Sequence, residues 1–189
     1  MKSITVVLLA LVFTVFSCSE RKVLCVISTD LGDIEVELYP EKAPLTTANF
    51  LNYVERKAYT GSGFFRVCTP ENETDRQVKI EVIQGGNVDE ADLLPPIRLE
   101  PTKETGIRHR DGVLSMARST SHSAQSSFFI CIGDQPALDH GGDRNPDGQG
   151  FAAFGKVIRG MEVVLEIQRQ KEENQYLLNP VAIRTVERR

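Results

Sequence analysis

Short apolar runs, separated by polar or glycine-rich segments, are the feature that most constrains how this 189-residue chain folds. Several of the runs are rich in β-branched and aromatic residues, which is typical of β-strands. The eight runs are residues 23–27, 34–38, 64–67, 78–83, 113–117, 128–132, 151–157 and 181–186. Strand and helix do not alternate as they do in parallel α/β folds. The pattern therefore predicts an antiparallel sheet that closes into a barrel.

Two segments carry a helical pattern, one early and one late in the chain. Pro44 opens the first segment, because proline fits the first turn of a helix. Ala48, Leu51 and Val54 fall on one face of this helix. The second segment covers residues 161–170. The predicted fold class is therefore mainly β: an eight-stranded antiparallel closed barrel capped by two α-helices.

Charge and composition narrow the class of protein. The chain has 22 Lys and Arg against 26 Asp and Glu, which gives a formal net charge of −4. This balance argues against nucleic-acid binding, because no basic excess exists to neutralise phosphates. With 41% hydrophobic residues the chain can build a core, and neither an internal repeat nor a linker divides it. We expect one domain over residues 21–189.

The first 17 residues resemble an export signal. Lys2 precedes an apolar run over residues 4–16, which is short for a transmembrane span. Residues 15–18 resemble the lipobox of bacterial lipoproteins, in which Cys18 would be lipidated and become the mature N-terminus, although Phe16 is unusual there. The favoured prediction is a lipid-anchored protein of a bacterial envelope, facing the periplasm. Simple secretion and a retained membrane anchor remain alternatives.

Six short motifs occur in the order in which they occur in the cyclophilin family of peptidyl-prolyl isomerases, and the chain resembles that family over about residues 23–187. The motifs are FFRV at 64–67, QGG at 84–86, GVLSMA at 112–117, SFFI at 127–130, LD at 138–139 and FGKV at 154–157. The resemblance implies an eight-stranded barrel with a packed interior and a proline-binding groove on its outer face. It implies neither a cofactor nor a metal.

The implied reaction is cis–trans rotation about an Xaa–Pro bond, in which no covalent bond breaks. The barrier is about 20 kcal/mol because the amide C–N bond has double-bond character. Twisting this bond makes the proline nitrogen pyramidal and more basic. A donor aimed at that nitrogen stabilises the twisted state more than either planar state, as catalysis requires.

The resemblance assigns the catalytic roles to Arg66 and Gln84. Arg66 matches the family's catalytic arginine, whose guanidinium remains charged and presents a fixed set of donors. Gln84 precedes two glycines and would position Arg66 or the substrate. Without the family pattern, Arg66 would be interpreted as a surface residue on a strand.

The other predicted site residues bind substrate. Phe129 would form the floor of the proline pocket, and because side chains alternate along a strand, Phe128 would then point to the core. The backbone of Ala117 and Arg118 would hold the peptide. The remaining pocket walls are expected from Val82, Leu138 and Phe151. The expected partners are proline-containing polypeptides, bound by a monomer.

Two departures from the family pattern leave an alternative function open. Glu81 stands where an aromatic residue is common, and residues 69–77 lengthen the connection between Arg66 and Gln84. This acidic insert is either a loop that reaches over the groove or a solvated loop. The alternatives to an isomerase are a noncatalytic proline-binding or chaperone module and, less well supported, a structural envelope protein.

Three further patterns compete for function. Residues 143–148 match the start of a calcium loop, but the bidentate glutamate that should follow is replaced by Phe154. Ser115 or Ser126 with His122 would make a hydrolase pair, but no nucleophile elbow is present. Cysteines allow a disulfide or buried free thiols; the candidate disulfides are Cys25–Cys68 and Cys68–Cys131. None of these displaces the isomerase prediction, and no metal site is predicted.

Overall fold

The computed structural model describes residues 22–189, so the predicted signal peptide and Cys18 lie outside the described residues. Nine strands are present among the described residues. They are β1 Val23–Thr29, β2 Gly32–Leu38, β3 Gly63–Cys68, β4 Val82–Gly85, β5 Val113–Met116, β6 Phe128–Cys131, β7 Ala152–Arg159, β8 Glu172–Glu173 and β9 Tyr176–Arg188.

Eight of these strands close into the predicted antiparallel barrel. Their order is β1-β2-β7-β5-β6-β4-β3-β9, and β9 pairs with β1 to complete the ring. The two-residue β8 pairs with the start of β9 and lies outside the ring. Closure satisfies the backbone donors and acceptors of both β1 edges, which an open sheet would leave free.

Three helices accompany the barrel: α1 Pro44–Glu55, α2 Thr102–Thr105 and α3 Met161–Gln168. The first and third correspond to the predicted pair, although α3 ends two residues before the predicted end. The one-turn helix α2 was not predicted from the sequence. α1 packs against β7 and β9, and α3 packs against β2, β3 and β4. None of the helices in residues 22–189 is both long and apolar enough to cross a membrane.

The buried face of α1 differs from the predicted one. Val54 is buried as predicted, with Phe50 beside it, but Ala48 is exposed, Leu51 is only half-buried and Thr46 is buried. The reason is Glu100, whose carboxylate accepts hydrogen bonds from the Thr46 N–H and Thr46 hydroxyl, each 2.7 Å long. This distant carboxylate accepts hydrogen bonds from free donors at the start of α1, so Thr46 is buried there with its polar groups paired.

The fourth strand begins later than predicted. Residues 78–81 precede the ladder rather than join it, and β4 starts at Val82. The Ile80 N–H donates instead to the Glu73 carboxylate, at 2.8 Å. A side chain of the preceding loop therefore accepts the hydrogen bond that a neighbouring strand would otherwise accept.

Aromatic rings fill the barrel interior and explain the glycines of the QGG motif. Phe128 is fully buried, with its ring edge-on to those of Phe50 and Phe64 at centroid distances of 5.5 and 5.9 Å. A Cβ atom added at Gly86 would lie 2.6 Å from the Phe128 ring, and Gly86 has a φ of +75°. Both the crowding and the backbone conformation favour glycine.

Candidate active site

Strand register brings the predicted catalytic residues into one row on the outside of the barrel. Arg66 on β3 lies opposite Gln84 on β4, and Gln84 lies opposite Phe129 on β6. Ser115 on β5 follows as the partner of Phe129. Because register partners point to the same face of a sheet, these side chains share one face while Phe128 points inward. The predicted division of Phe128 and Phe129 between core and site agrees with this arrangement.

A β-bulge at Phe65 decides the direction of Arg66. Phe64 pairs with Gly85 and Arg66 with Gln84, so Phe65 is an extra residue on β3. With strict alternation, Phe64 and Arg66 would face the same side. The bulge allows Phe64 to be fully buried in the core while Arg66 is half-buried on the outer face.

The Arg66 guanidinium is held from two sides by amide oxygens. Its Nη1 donates to Gln84 Oε1 at 3.0 Å. Its Nε and Nη2 both donate to Gln175 Oε1, at 3.1 and 2.5 Å. Gln175 belongs to the turn between β8 and β9, and the motifs in the sequence give no signal for it. One N–H on each of Nη1 and Nη2 has no partner among these contacts.

Three of the predicted pocket residues are brought together beside this arginine. The rings of Phe129 and Phe151 are perpendicular, with centroids 5.4 Å apart. The Phe151 N–H donates to the Leu138 carbonyl at 3.0 Å, which fixes the two loops that carry them. Phe129 and Phe151 keep slight exposure, whereas Leu138 is fully buried behind them.

Val82 belongs to the same outer face but not to the exposed part of the site. It lies two residues before Gln84 on β4, between Cys68 on β3 and Cys131 on β6. It is 2% exposed, so the surface it offers to a ligand in this structure is very small.

A buried polar network supports Phe129 from behind. His109 Nε2 and Ser115 Oγ are 2.9 Å apart, and His109 Nδ1 and Asp139 Oδ1 are also 2.9 Å apart. The His109 ring stacks on Phe129, with centroids 6.0 Å apart. Burial alone would raise the pKa of Asp139, but hydrogen bonds from His109 outweigh it and hold that pKa below its ordinary value.

This network replaces the hydrolase pair considered from the sequence. Ser115 contacts His109 rather than His122, whose Nδ1 accepts the Leu99 N–H at 3.0 Å. Ser115 is fully buried and His109 is 1% exposed. A hydroxyl that no substrate can reach is unsuited to nucleophilic attack, so the three polar groups serve as packing and support for Phe129.

Ala117 and Arg118 contribute to an open groove beside Gln84. The groove has a volume of about 460 Å³ and a mixed polar and apolar wall that includes Asn87, Gln125 and Ser127. The Arg118 side chain itself turns away, and is 1% exposed. Arg118 as a whole is half-buried, so the part of it that is exposed is its backbone.

The Arg118 side chain holds the loop that carries Phe151. It forms a bidentate ion pair with Asp147, at 2.8 and 2.9 Å, and its Nε donates to the Gly150 carbonyl at 2.7 Å. Its guanidinium also lies over the Phe151 ring, 5.1 Å from the centroid. The hydrogen bonds from Arg118 lower the pKa of Asp147 to about 2.

These contacts argue against calcium binding by the pattern at residues 143–148. Both carboxylate oxygens of Asp147 accept hydrogen bonds from Arg118, so a cation would compete with a paired arginine. Over residues 22–189, no group of three or more His, Cys, Asp or Glu side chains is arranged to hold a metal.

The three cysteines of the described chain are free and buried, which corrects both candidate disulfides. Cys68 and Cys131 flank Val82 from opposite neighbouring strands, so a whole strand separates them. Burial raises the pKa of the Cys25 and Cys68 thiols to about 11 each, and that of Cys131 further. Neutral buried thiols of this kind behave as small apolar side chains.

The insert at residues 69–77 is anchored rather than simply solvated. Glu73 is buried and forms an ion pair with Arg144, whose Nη1 also donates to the Val78 carbonyl at 2.6 Å. Glu71 and Asp75 remain exposed. Glu81 accepts a hydrogen bond from Gln168 of α3 at 2.9 Å, so its carboxylate is engaged by a helix.

Comparison with known proteins agrees with this fold. Residues 24–188 match the family model "Cyclophilin type peptidyl-prolyl cis-trans isomerase/CLD". Peptidyl-prolyl cis-trans isomerase A of Dickeya dadantii is 37% identical over 153 residues, covering 78% of this chain and 72% of the relative. A peptidyl-prolyl cis-trans isomerase of Acinetobacter baylyi is 38% identical over 144 residues, covering 74% of this chain and 68% of the relative.

A solved structure supports the fold independently. The crystal structure of a Cryptosporidium parvum cyclophilin type isomerase superposes with a TM-score of 0.69, at 20% identity, covering 89% of this chain and 98% of that one. The fold shared with that structure is a closed antiparallel barrel, and in this chain Arg66 and Phe129 lie on its outer face. The chain belongs to the cyclophilin-type peptidyl-prolyl cis-trans isomerase family, and its activity is the isomerisation of Xaa–Pro bonds.

Proposed function

We propose that Arg66 carries the isomerisation by donating a hydrogen bond to the proline nitrogen as the amide twists. The observation behind this proposal is the guanidinium held between Gln84 and Gln175, with Phe129 the next residue along the row. A donor that is already fixed needs no reorganisation when charge develops at the nitrogen. Gln84 positions Arg66 and also lines the substrate groove.

The proline ring is proposed to lie against Phe129 and Phe151, with Leu138 and Val82 supporting the pocket from beneath. The Ala117–Arg118 backbone and the groove beside Gln84 would hold the adjoining peptide. The relevant ligand class is a proline-containing polypeptide. One support is a Cryptosporidium parvum cyclophilin structure determined in the presence of the dipeptide Ala-Pro, which superposes on this chain with a TM-score of 0.67.

The test of Arg66 is exchange NMR of cis–trans rates in short Xaa–Pro peptides. We expect Arg66→Ala to lower kcat by about 10²–10³, the effect of removing one fixed transition-state donor. Arg66→Lys keeps the charge but not the planar set of donors, so its kcat is expected to lie between those of the wild type and Arg66→Ala. The matched control is Arg184→Ala, which removes an exposed arginine that forms an ion pair with Asp30. Unchanged exchange in Arg66→Ala would reject the catalytic role.

We also propose that the protein is exported and lipid-anchored through Cys18, faces the periplasm as a monomer, and assists folding of envelope proteins there. The support for export lies in the signal-like residues 1–17, which are outside the described residues. The support for a monomer is that the barrel is closed, so that within residues 22–189 the two-residue β8 is the open edge of the sheet.

The lipid anchor makes a separate prediction. Cells fed a labelled fatty acid should incorporate the label into the wild-type protein and not into Cys18→Ala. Cys25→Ala is the control, because Cys25 is buried in β1. Label retained by Cys18→Ala would reject lipidation at this residue.

A further inference from the structure

We infer that Gln175, in the turn between β8 and β9, is a positioning residue for catalysis because it fixes the plane of the Arg66 guanidinium. The inference rests on the catalytic role proposed for Arg66. Gln84 alone makes one hydrogen bond, to Nη1, which would leave the guanidinium free to rotate about that contact. Gln175 Oε1 accepts from both Nε and Nη2, so the two glutamines together define its orientation.

The position of Gln175 is itself fixed by contacts with three other segments. Its backbone N–H donates to Glu172 Oε2 at 2.6 Å, and its carbonyl accepts the Val67 N–H at 2.8 Å. Its side-chain Nε2 approaches the Asn72 carbonyl of the insert at 3.4 Å. Strand β8, strand β3 and the insert therefore all contact this one residue.

The backbone at this turn gives independent support. Asn174 and Gln175 have φ values of +53° and +74°, a region that costs most residues free energy and that glycine adopts readily. A two-residue turn of this kind commonly has glycine at its second position. Glycine at 175 would relieve the backbone but would lack the amide that Arg66 contacts. The conformation of the turn therefore does not explain the glutamine side chain at 175, whereas its contact with Arg66 does.

The mode of action follows from which donors remain. With Nε, one Nη1 hydrogen and one Nη2 hydrogen bound to the two glutamines, one hydrogen on Nη1 and one on Nη2 are left to donate to a substrate. Losing Gln175 would let Arg66 adopt several orientations, most of them unproductive. The loss should therefore affect kcat more than KM, because the pocket formed by Phe129 and Phe151 is unchanged.

The experiment compares Gln175→Met, which keeps length and shape but removes the acceptor, with Gln175→Glu, which keeps an acceptor. We expect Gln175→Met to lower kcat about 10-fold with KM changed less than about twofold, and Gln175→Glu to recover most of the rate. The Arg66 Nε–H resonance should lose its protection from solvent exchange in Gln175→Met and keep it in Gln175→Glu. Asn174→Gly is the matched control, because it relaxes the neighbouring residue without touching Arg66.

Two results would overturn the inference: unchanged kcat and unchanged Nε–H protection in Gln175→Met, or equal losses in Gln175→Met and Gln175→Glu. The second would mean that the turn, not the acceptor, matters. Arg66→Ala measured in parallel separates this inference from the proposed function. If Arg66→Ala is fully active, the role of Arg66 in catalysis is rejected, and with it any role for Gln175 in catalysis through Arg66.

Discussion

The Arg118 side chain supports the proposed binding site without being exposed to the ligand. Its guanidinium is almost completely buried and binds Asp147, the Gly150 carbonyl and the face of Phe151. The sequence predicted only that the backbone of Arg118 would contact the peptide. The side chain instead orders the loop that places Phe151 beside Phe129.

At the residue scale, the Arg118–Asp147 pair predicts a pH dependence of stability. Asp147 has a folded-state pKa of about 2, below the unfolded value of about 3.9. The pair therefore stabilises the fold above about pH 4, and that contribution disappears as pH falls toward 2. We expect the melting temperature of Asp147→Asn to lie below that of the wild type at pH 7, with the difference shrinking between pH 4 and pH 2.

Thermal denaturation followed by circular dichroism at several pH values would measure this difference. Asp143→Asn is the control, because no hydrogen bond from Arg118 reaches that residue. A difference between Asp147→Asn and wild type that stays constant down to pH 2 would contradict the assignment.

At the element scale, the insert and the 143–150 loop are joined by one buried ion pair. Glu73 is fully buried at its side chain, and Arg144 is 8% exposed. Breaking a buried pair by neutralising one partner commonly costs about 3–5 kcal/mol, because the other charge remains buried. We therefore expect Glu73→Gln to lower the free energy of unfolding by about 3 kcal/mol, measured by urea denaturation.

The pair can be separated from general effects by a double-mutant cycle. Arg144→Met should also be destabilising, whereas Glu73→Gln/Arg144→Met should cost clearly less than the sum of the single changes. Additive losses would indicate that the two side chains act independently. Glu71→Gln provides the control within the same loop, since Glu71 is exposed.

At the scale of the whole molecule, stability depends on ring closure between the first and last strands. Val186 pairs with Ile27, and residues 185–188 continue the β1 ladder to its end. Deleting residues 185–189 would remove four of the five β1–β9 register pairs, open the barrel and expose the edge of β1 to other chains. We expect the truncated protein to lose its cooperative unfolding transition and to self-associate in size-exclusion chromatography. Deleting Arg189 alone should leave both properties unchanged, and a monomeric, cooperatively unfolding 1–184 chain would refute the argument.

Local patterns in the sequence were sufficient for the barrel class and the two main helices, and the family resemblance singled out Arg66, Gln84 and Phe129. Periodicity identifies strands because alternate side chains must face a core, and the ordered motifs carried the family resemblance. The same patterns misplaced the buried face of α1 and the start of β4. In both places a side-chain carboxylate accepts a hydrogen bond from a backbone N–H. Glu100 accepts the Thr46 N–H of α1, and Glu73 accepts the Ile80 N–H that the pattern assigned to a strand.

What the sequence by itself determined was which residues are apolar and how they alternate, which predicts a closed antiparallel barrel, while the motifs that resemble the cyclophilin family singled out Arg66. Only the tertiary structure decided how that arginine is held. The bulge at Phe65 turns it outward, and Gln175 reaches it from 109 positions along the chain. Contacts over such separations depend on ring closure and strand register, which no local spacing encodes.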